Sequence, residues 1–200
     1  MGAPSKVLKF LGYLTLLFLI AQSGPRVQLH ALSSRASDDQ GQGHLLLLYN
    51  THTGERLNVV YRRGEQYIPA ALAELDYFLR DHRTGEVRHF DPRLYDILSD
   101  LTASVGHLGA EIDIVCGYRT PSTNESLRAR TAGVAKNSLH IQAQAIDLRM
   151  PGIDTLTLRR AALALARGGV GYYPHSDFIH VDIGRVRQWC FNCSASLAGR

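Results

Sequence analysis

SLHIQAQAIDLRMPG, residues 138–152, contains a short apolar strand, AIDLRM, with an aspartate in its middle; SDFIHVDIG, residues 176–184, contains a second, FIHVDI, with a histidine in its middle. Side chains along a strand alternate faces, so Asp147 shares a face with Ala145 and Arg149, and His180 shares one with Asp182. Buried strands rarely hold unpaired Asp and His, because desolvating such groups without partners costs several kcal/mol. A shared cation removes that cost. With His140 in the loop before the first strand, two imidazoles and a carboxylate become available to one metal, and the fourth position of a tetrahedral zinc stays free for water, as in a catalytic site. Asp177, three positions before His180, belongs to the turn that enters the strand, on its lip, where a base for that water would stand. His140 read alone is equally an ordinary loop histidine bonded to its surroundings.

The segments around these strands are read from their periodicity. HLLLLYNTHTGERLNVVYRR (44–63) alternates and turns at Thr53-Gly54, which predicts a β-hairpin. IPAALAELDYFLR (68–80) has helical apolar spacing with Pro69 in its first turn, and Asp91-Pro92 opens a second helix to about Val105. These helices are expected to bury Leu72, Leu75, Phe78, Leu79, Leu94, Ile97, Leu98 and Leu101. IDIVCGY leads as a strand into the polar loop RTPSTN, and ESLRARTAG forms a short helical turn. Asp154 caps a helix through Arg167 that faces Leu156, Ala161, Leu163 and Leu165 inward and stops at Gly168-Gly169. GVGYYP returns as a strand. Strands separated by helices and turns predict an α+β fold: a small antiparallel sheet with flanking helices.

Two hundred residues with 45% hydrophobic content suffice for one domain and an extra segment. Lys6 and Lys9 precede the apolar run FLGYLTLLFLIA (10–21), the layout of a secretory signal, shorter than the roughly twenty residues of a membrane span. Residues 1–31 are therefore expected to be a signal peptide, cut after Ala21 or Ala31, with an uncleaved anchor as the alternative. Residues 32–43 are expected to form a polar linker, 44–193 the folded domain, and 194–200 a C-terminal tail. Export to an oxidising compartment lets Cys190 and Cys193 pair; inert thiols, or a redox C-x-x-C site, are the other readings. Cys116 is the odd thiol. The 22 Lys and Arg, for a formal charge of +4, are spread without a basic run or interleaved aromatics, which speaks against nucleic acid and suits an anionic wall polymer. The histidines at 30, 44, 52, 82, 89 and 107 show no paired spacing and read as surface residues.

At GYRTPSTN (117–124), KNSLHIQAQAIDLRMPG (136–152) and GVGYYPHSDFIHVDIGRVRQW (169–189) the chain resembles the zinc peptidases that group lysostaphin-type, D-Ala-D-Ala-type and hedgehog-type domains, and within them the MepK-like periplasmic murein endopeptidases. The resemblance spans roughly Leu45 to Trp189. It implies one zinc per chain on the sheet face, held by His140, Asp147 and His180, with Asp177 as catalytic base. Substrate contact falls to Arg119, Ser122 and Asn124, while Asp182 and His175 stand behind the ligands or touch substrate. The implied substrate is the stem peptide of peptidoglycan, cut between two diaminopimelate residues or at a D-Ala bond, by a periplasmic monomer that meets the membrane only through an uncleaved N-terminus. A non-catalytic, zinc-stabilised wall-binding module is the reading from another class. Two positions depart from the family pattern: Ala143 replaces the usual Gly between the ligands, and Cys116 replaces a common Ser before GYR.

Overall fold

The computed structural model describes residues 43–193, with Gly2 and Gly41. The expected signal segment, apart from Gly2, most of the linker and the tail lie outside the described residues. The order is β1 (Gly43–Asn50), β2 (Arg56–Arg63), β3 (Gln66–Tyr67), α1 (Pro69–Phe78), α2 (Arg93–Ser104), β4 (Glu111–Cys116), α3 (Pro121–Arg130), a 3-10 turn (Leu139–Gln142), β5 (Ala145–Arg149), α4 (Thr155–Leu165), β6 (Gly169–Tyr173), β7 (Phe178–Asp182) and β8 (Arg187–Cys190).

The strands form one sheet in the order β3-β2-β1-β4-β5-β7-β6-β8. Eight strands make it larger than the small sheet expected, and it is mixed: β1 pairs parallel with β4 and β6 parallel with β8, the other pairs being antiparallel. A strand's own composition does not state the direction of its neighbour, and β8, only four residues long, offers too short an alternation to be noticed.

Strand alternation then divides the sheet's labour. Ile146 and Leu148 of β5, Val170 and Tyr172 of β6, and Ile179 and Val181 of β7 join the core, with α4 over β6 and β7 and α1 and α2 over β2 and β1. The residues that alternate with them, Asp147, Gly171, Tyr173 and His180, face the other side. The expected helix residues are buried, except that Leu72 is only partly covered. On α4 the buried positions are Thr155, Leu158, Arg159 and Ala162, while Leu156, Ala161, Leu163 and Leu165 sit at the margin. That face is rotated from the expected one because Arg159, with its Nη2 bonded to Gln188 at 2.9 Å, occupies the inner side. Asp154 does cap α4, accepting from Thr157 N at 2.9 Å, and the helix ends on Ala166 with φ 51°. The polar loop RTPSTN is a helix start instead. Thr120 Oγ1 accepts from Thr123 N at 3.1 Å, and Pro121 takes the first helical position, where a missing N–H costs nothing.

Candidate metal centre and cleft

Register brings the predicted ligands together. β5 pairs with β7 so that Asp147 lies opposite His180, and β4 pairs with β5 so that Cys116 lies opposite Asp147. His140 arrives from the 3-10 turn, whose start is capped by the Ser138 hydroxyl accepting from His140 N at 3.4 Å. The turn closes on Ala143 with φ 53°, the left-handed conformation that Gly adopts without strain, so the Ala at this departure from the family pattern carries a backbone cost.

His140 Nε2, Asp147 Oδ1 and His180 Nδ1 form a near-equilateral triangle: 3.1 Å, 2.9 Å and 3.2 Å. The other nitrogen of each ring is committed outward. His140 Nδ1 donates to Gly117 O at 2.7 Å, and His180 Nε2 donates to Asp182 Oδ2 at 3.0 Å. Those bonds fix the tautomers, so two imidazole lone pairs and a carboxylate oxygen converge on one point. Three acceptors so close repel unless positive charge sits among them. A proton can take that place when no metal does: burial by itself presses the His140 pKa down, but the charge of Asp147 overrides it and carries the ring to about 9. Burial works to raise Asp147, and the charge of the protonated His140, with the hydrogen bond it then donates, pulls it far below the carboxylate range instead. Ligands bound at the 2.0–2.2 Å distances usual for zinc stand about 3.3–3.6 Å apart around a tetrahedral ion, a few tenths of an ångström wider than the triangle seen. The donor set therefore fits a divalent ion.

A surrounding layer holds these groups still. Asp182, 1% exposed, accepts from Gly169 N at 3.0 Å, Gly184 N at 2.8 Å and both terminal nitrogens of Arg187 at 3.0 and 2.7 Å. Arg119 Nη2 donates to Asp147 Oδ2 at 2.9 Å and its Nε to Cys116 Sγ at 3.0 Å. Ligand atoms of Cys116, His140 and Asp147 all lie within 4.8 Å of one another, so a thiol stands at the edge of the ligand set.

The triangle opens into a cleft of about 330 Å³. Tyr173, Trp189 and Phe191 line one side, and His52, His82 and Arg83 another. Trp189 Nε1 donates to the Tyr173 hydroxyl at 3.1 Å, and the Trp189 ring lies 5.0 Å from that of His180. The structure joins Cys190 to Cys193 just beyond Trp189.

Several expected site residues are not brought here. Asp177, at φ 51°, is exposed; its Oδ1 accepts from Thr155 Oγ1 at 3.0 Å, and its neighbours Ser176 and Phe178 line the cleft while it does not. His175 is exposed in the same turn. Ser122 is exposed on α3 with its hydroxyl 3.1 Å from that of Thr120, and Asn124 is buried with Nδ2 on Ala135 O at 3.1 Å. Asn124 thus pins the segment after α3 that walls the cleft. Arg119 reaches the cleft but is engaged with Asp147 and Cys116. Sequence reasoning missed Arg187 and Trp189, although both lie in the quoted motif. It also missed His52, His82 and Arg83, whose meeting has no signature in spacing.

Comparison with known proteins follows the same residues. A family model described as peptidoglycan L,D-endopeptidase MepK matches residues 39–189. A probable peptidoglycan L,D-endopeptidase MepK of Haemophilus influenzae is 45% identical over 145 residues, covering 72% of this chain and 78% of the relative. The peptidoglycan L,D-endopeptidase MepK of Escherichia coli K12 is 43% identical over 145 residues, covering 72% of this chain and 79% of its own. No solved structure matches the chain. With the family model covering well over half of its length, this chain belongs to the M15 peptidases described as peptidoglycan L,D-endopeptidase MepK.

Proposed function

We propose that this protein is a zinc-dependent endopeptidase that cuts stem-peptide cross-links of peptidoglycan in the periplasm, with His140, Asp147 and His180 as the metal ligands. Family membership makes it a metal-dependent peptidase acting on peptidoglycan in the cell envelope. The observation that carries the assignment of the ligands is the pair of outward ring bonds, His140 to Gly117 O and His180 to Asp182, which leave two lone pairs aimed at Asp147 Oδ1. When bound, the metal supplies an activated water and polarises the scissile carbonyl.

The chain's own residues do the rest. Asp182 and Gly117 O hold the two rings in their tautomers. Arg119 orients Asp147 through its second oxygen, leaving the first for the metal. Tyr173 and Trp189 form an aromatic wall along which an extended peptide can lie. Export through the 1–31 segment accompanies this reading, with residues 44–193 as the working domain; a mature mass that begins after Ala21 or Ala31 is expected in the periplasmic fraction.

The test is incubation of the purified protein with cross-linked muropeptides, with and without chelator, and product identification by mass. Cleavage at the cross-link that stops with chelator and returns with zinc is expected. Cleavage indifferent to chelator would overturn the reading.

A further inference from the structure

The metal ligands leave one wall of the cleft without a task. His52 comes to it from the β1–β2 loop, and His82 and Arg83 from the turn after α1. Each loop is bolted down by one buried polar side chain. Asn50, 6% exposed, accepts from His52 N at 3.0 Å and Thr53 N at 3.1 Å. Asp81, fully buried, accepts from Arg83 N at 3.0 Å and from Thr120 N and Oγ1 at 2.8 and 2.9 Å. Because Thr120 directly follows Arg119, the His82-Arg83 turn and the metal-side arginine share one mount. The two loop tips meet as stacked imidazoles, His52 and His82, with ring centroids 4.0 Å apart and planes 15° apart.

Charge in the cleft is unbalanced. Three arginines line it, Arg83, Arg119 and Arg187, against one acidic residue, Asp147. Arg187 is held by Asp182 and Arg119 by Asp147 and Cys116. The Arg83 guanidinium has no acidic partner among the described residues. Arg119 and Arg187 are thus engaged with groups of the protein, while Arg83 keeps its donors for a substrate.

We propose that Arg83, beside the His52–His82 stack, binds a free carboxylate of the substrate peptide and makes the enzyme prefer cross-links with free carboxyl groups over amidated ones. This rests on the peptidase reading of the same cleft. The substrate chemistry fits. In a cross-link between two diaminopimelate residues, the carbon bearing the leaving amine also bears a carboxyl group, next to the scissile amide. A guanidinium fork matches that planar acceptor with two parallel N–H donors.

The experiment uses the full protein and two soluble cross-linked peptides that differ only in that carboxyl group, free in one and a carboxamide in the other. Wild type is expected to favour the free acid in kcat/KM by about tenfold or more, the size of one charge-assisted hydrogen bond. Arg83→Ala is expected to erase most of that preference by raising KM for the free acid several-fold more than for the amidated peptide; Arg83→Lys is expected to keep part of it. Equal treatment of both peptides by wild type, or an Arg83→Ala defect of the same size on both, would overturn the proposal while leaving the peptidase reading intact. A wild type that cleaves neither peptide would overturn both.

Discussion

His140 and His180 act as a pair because of what stands behind each ring: a backbone carbonyl for one and a buried carboxylate for the other. Asp177, the base that motif spacing suggests, rests in the turn before β7 with its carboxylate on Thr155 at the start of α4, between two residues, Ser176 and Phe178, that line the cleft. Asparagine keeps an acceptor for Thr155 and cannot take a proton. With the carboxylate swung from Thr155 to the cleft to act as base, Asp177→Asn is expected to lower muropeptide turnover by about a hundredfold or more, the usual size of a lost general base, with zinc retained; turnover close to the wild-type rate would show that Asp177 only fastens the turn. His82 provides a second check at this scale. Burial first, then the charges of His52 and Arg83, hold its pKa at about 4 against an ordinary 6.5. Between those values the unfolded chain binds the proton and the folded one does not, so native stability falls as pH drops through the window. His82→Gln is expected to show a smaller loss of urea stability between the two ends of that window than wild type; an identical loss would remove His82 from the account. The meeting of His140, Asp147 and His180 was legible because a polar residue in the middle of a short apolar strand stands out, and His140 precedes one of those strands closely. The His52–His82 stack was not, because two loops thirty residues apart meet only through tertiary structure.

Elements were legible where a local signal was complete and obscure where a partner decided. The hairpin, α1 and α2 follow from alternation, Pro69 and Asp91-Pro92, and Asp154 marks the start of α4. The start of α3 was hidden inside a polar run, although Thr120-Pro121 is a cap followed by a first-turn proline. The inner face of α4 was misjudged because Arg159, a residue that periodicity assigns outward, is bonded to Gln188 beneath it. The mixed direction of the sheet is a non-local property and no strand encodes it. The end of α4 carries a prediction of its own. Ala166 is exposed and holds φ 51°, a conformation that costs a non-glycine residue about 1 kcal/mol or more. Ala166→Gly is expected to raise stability by about 1 kcal/mol, or about 2–4 °C in Tm for a chain of this size. A lower Tm would mean that the Ala166 side chain contributes packing absent from this description.

Across the whole molecule, the sheet separates two jobs. One face, with Ile146, Leu148, Ile179 and Val181, is sealed under helices; the other presents Asp147 and His180 from the same strands to an open cleft. A one-residue slip of β5 or β7 would exchange the two sets, so the register that builds the core also builds the site. Two of the three candidate ligands accordingly come from the middle of the sheet and the third, His140, from the 3-10 turn beside it, and each can be removed singly. The most direct test of this account is the zinc content and zinc affinity of the folded protein beside His140→Ala, Asp147→Ala and His180→Ala, each checked for retained secondary structure. One tightly bound zinc per wild-type chain, lost or greatly weakened in every variant, is the expected result. Undiminished zinc binding in any of the three folded variants would contradict it.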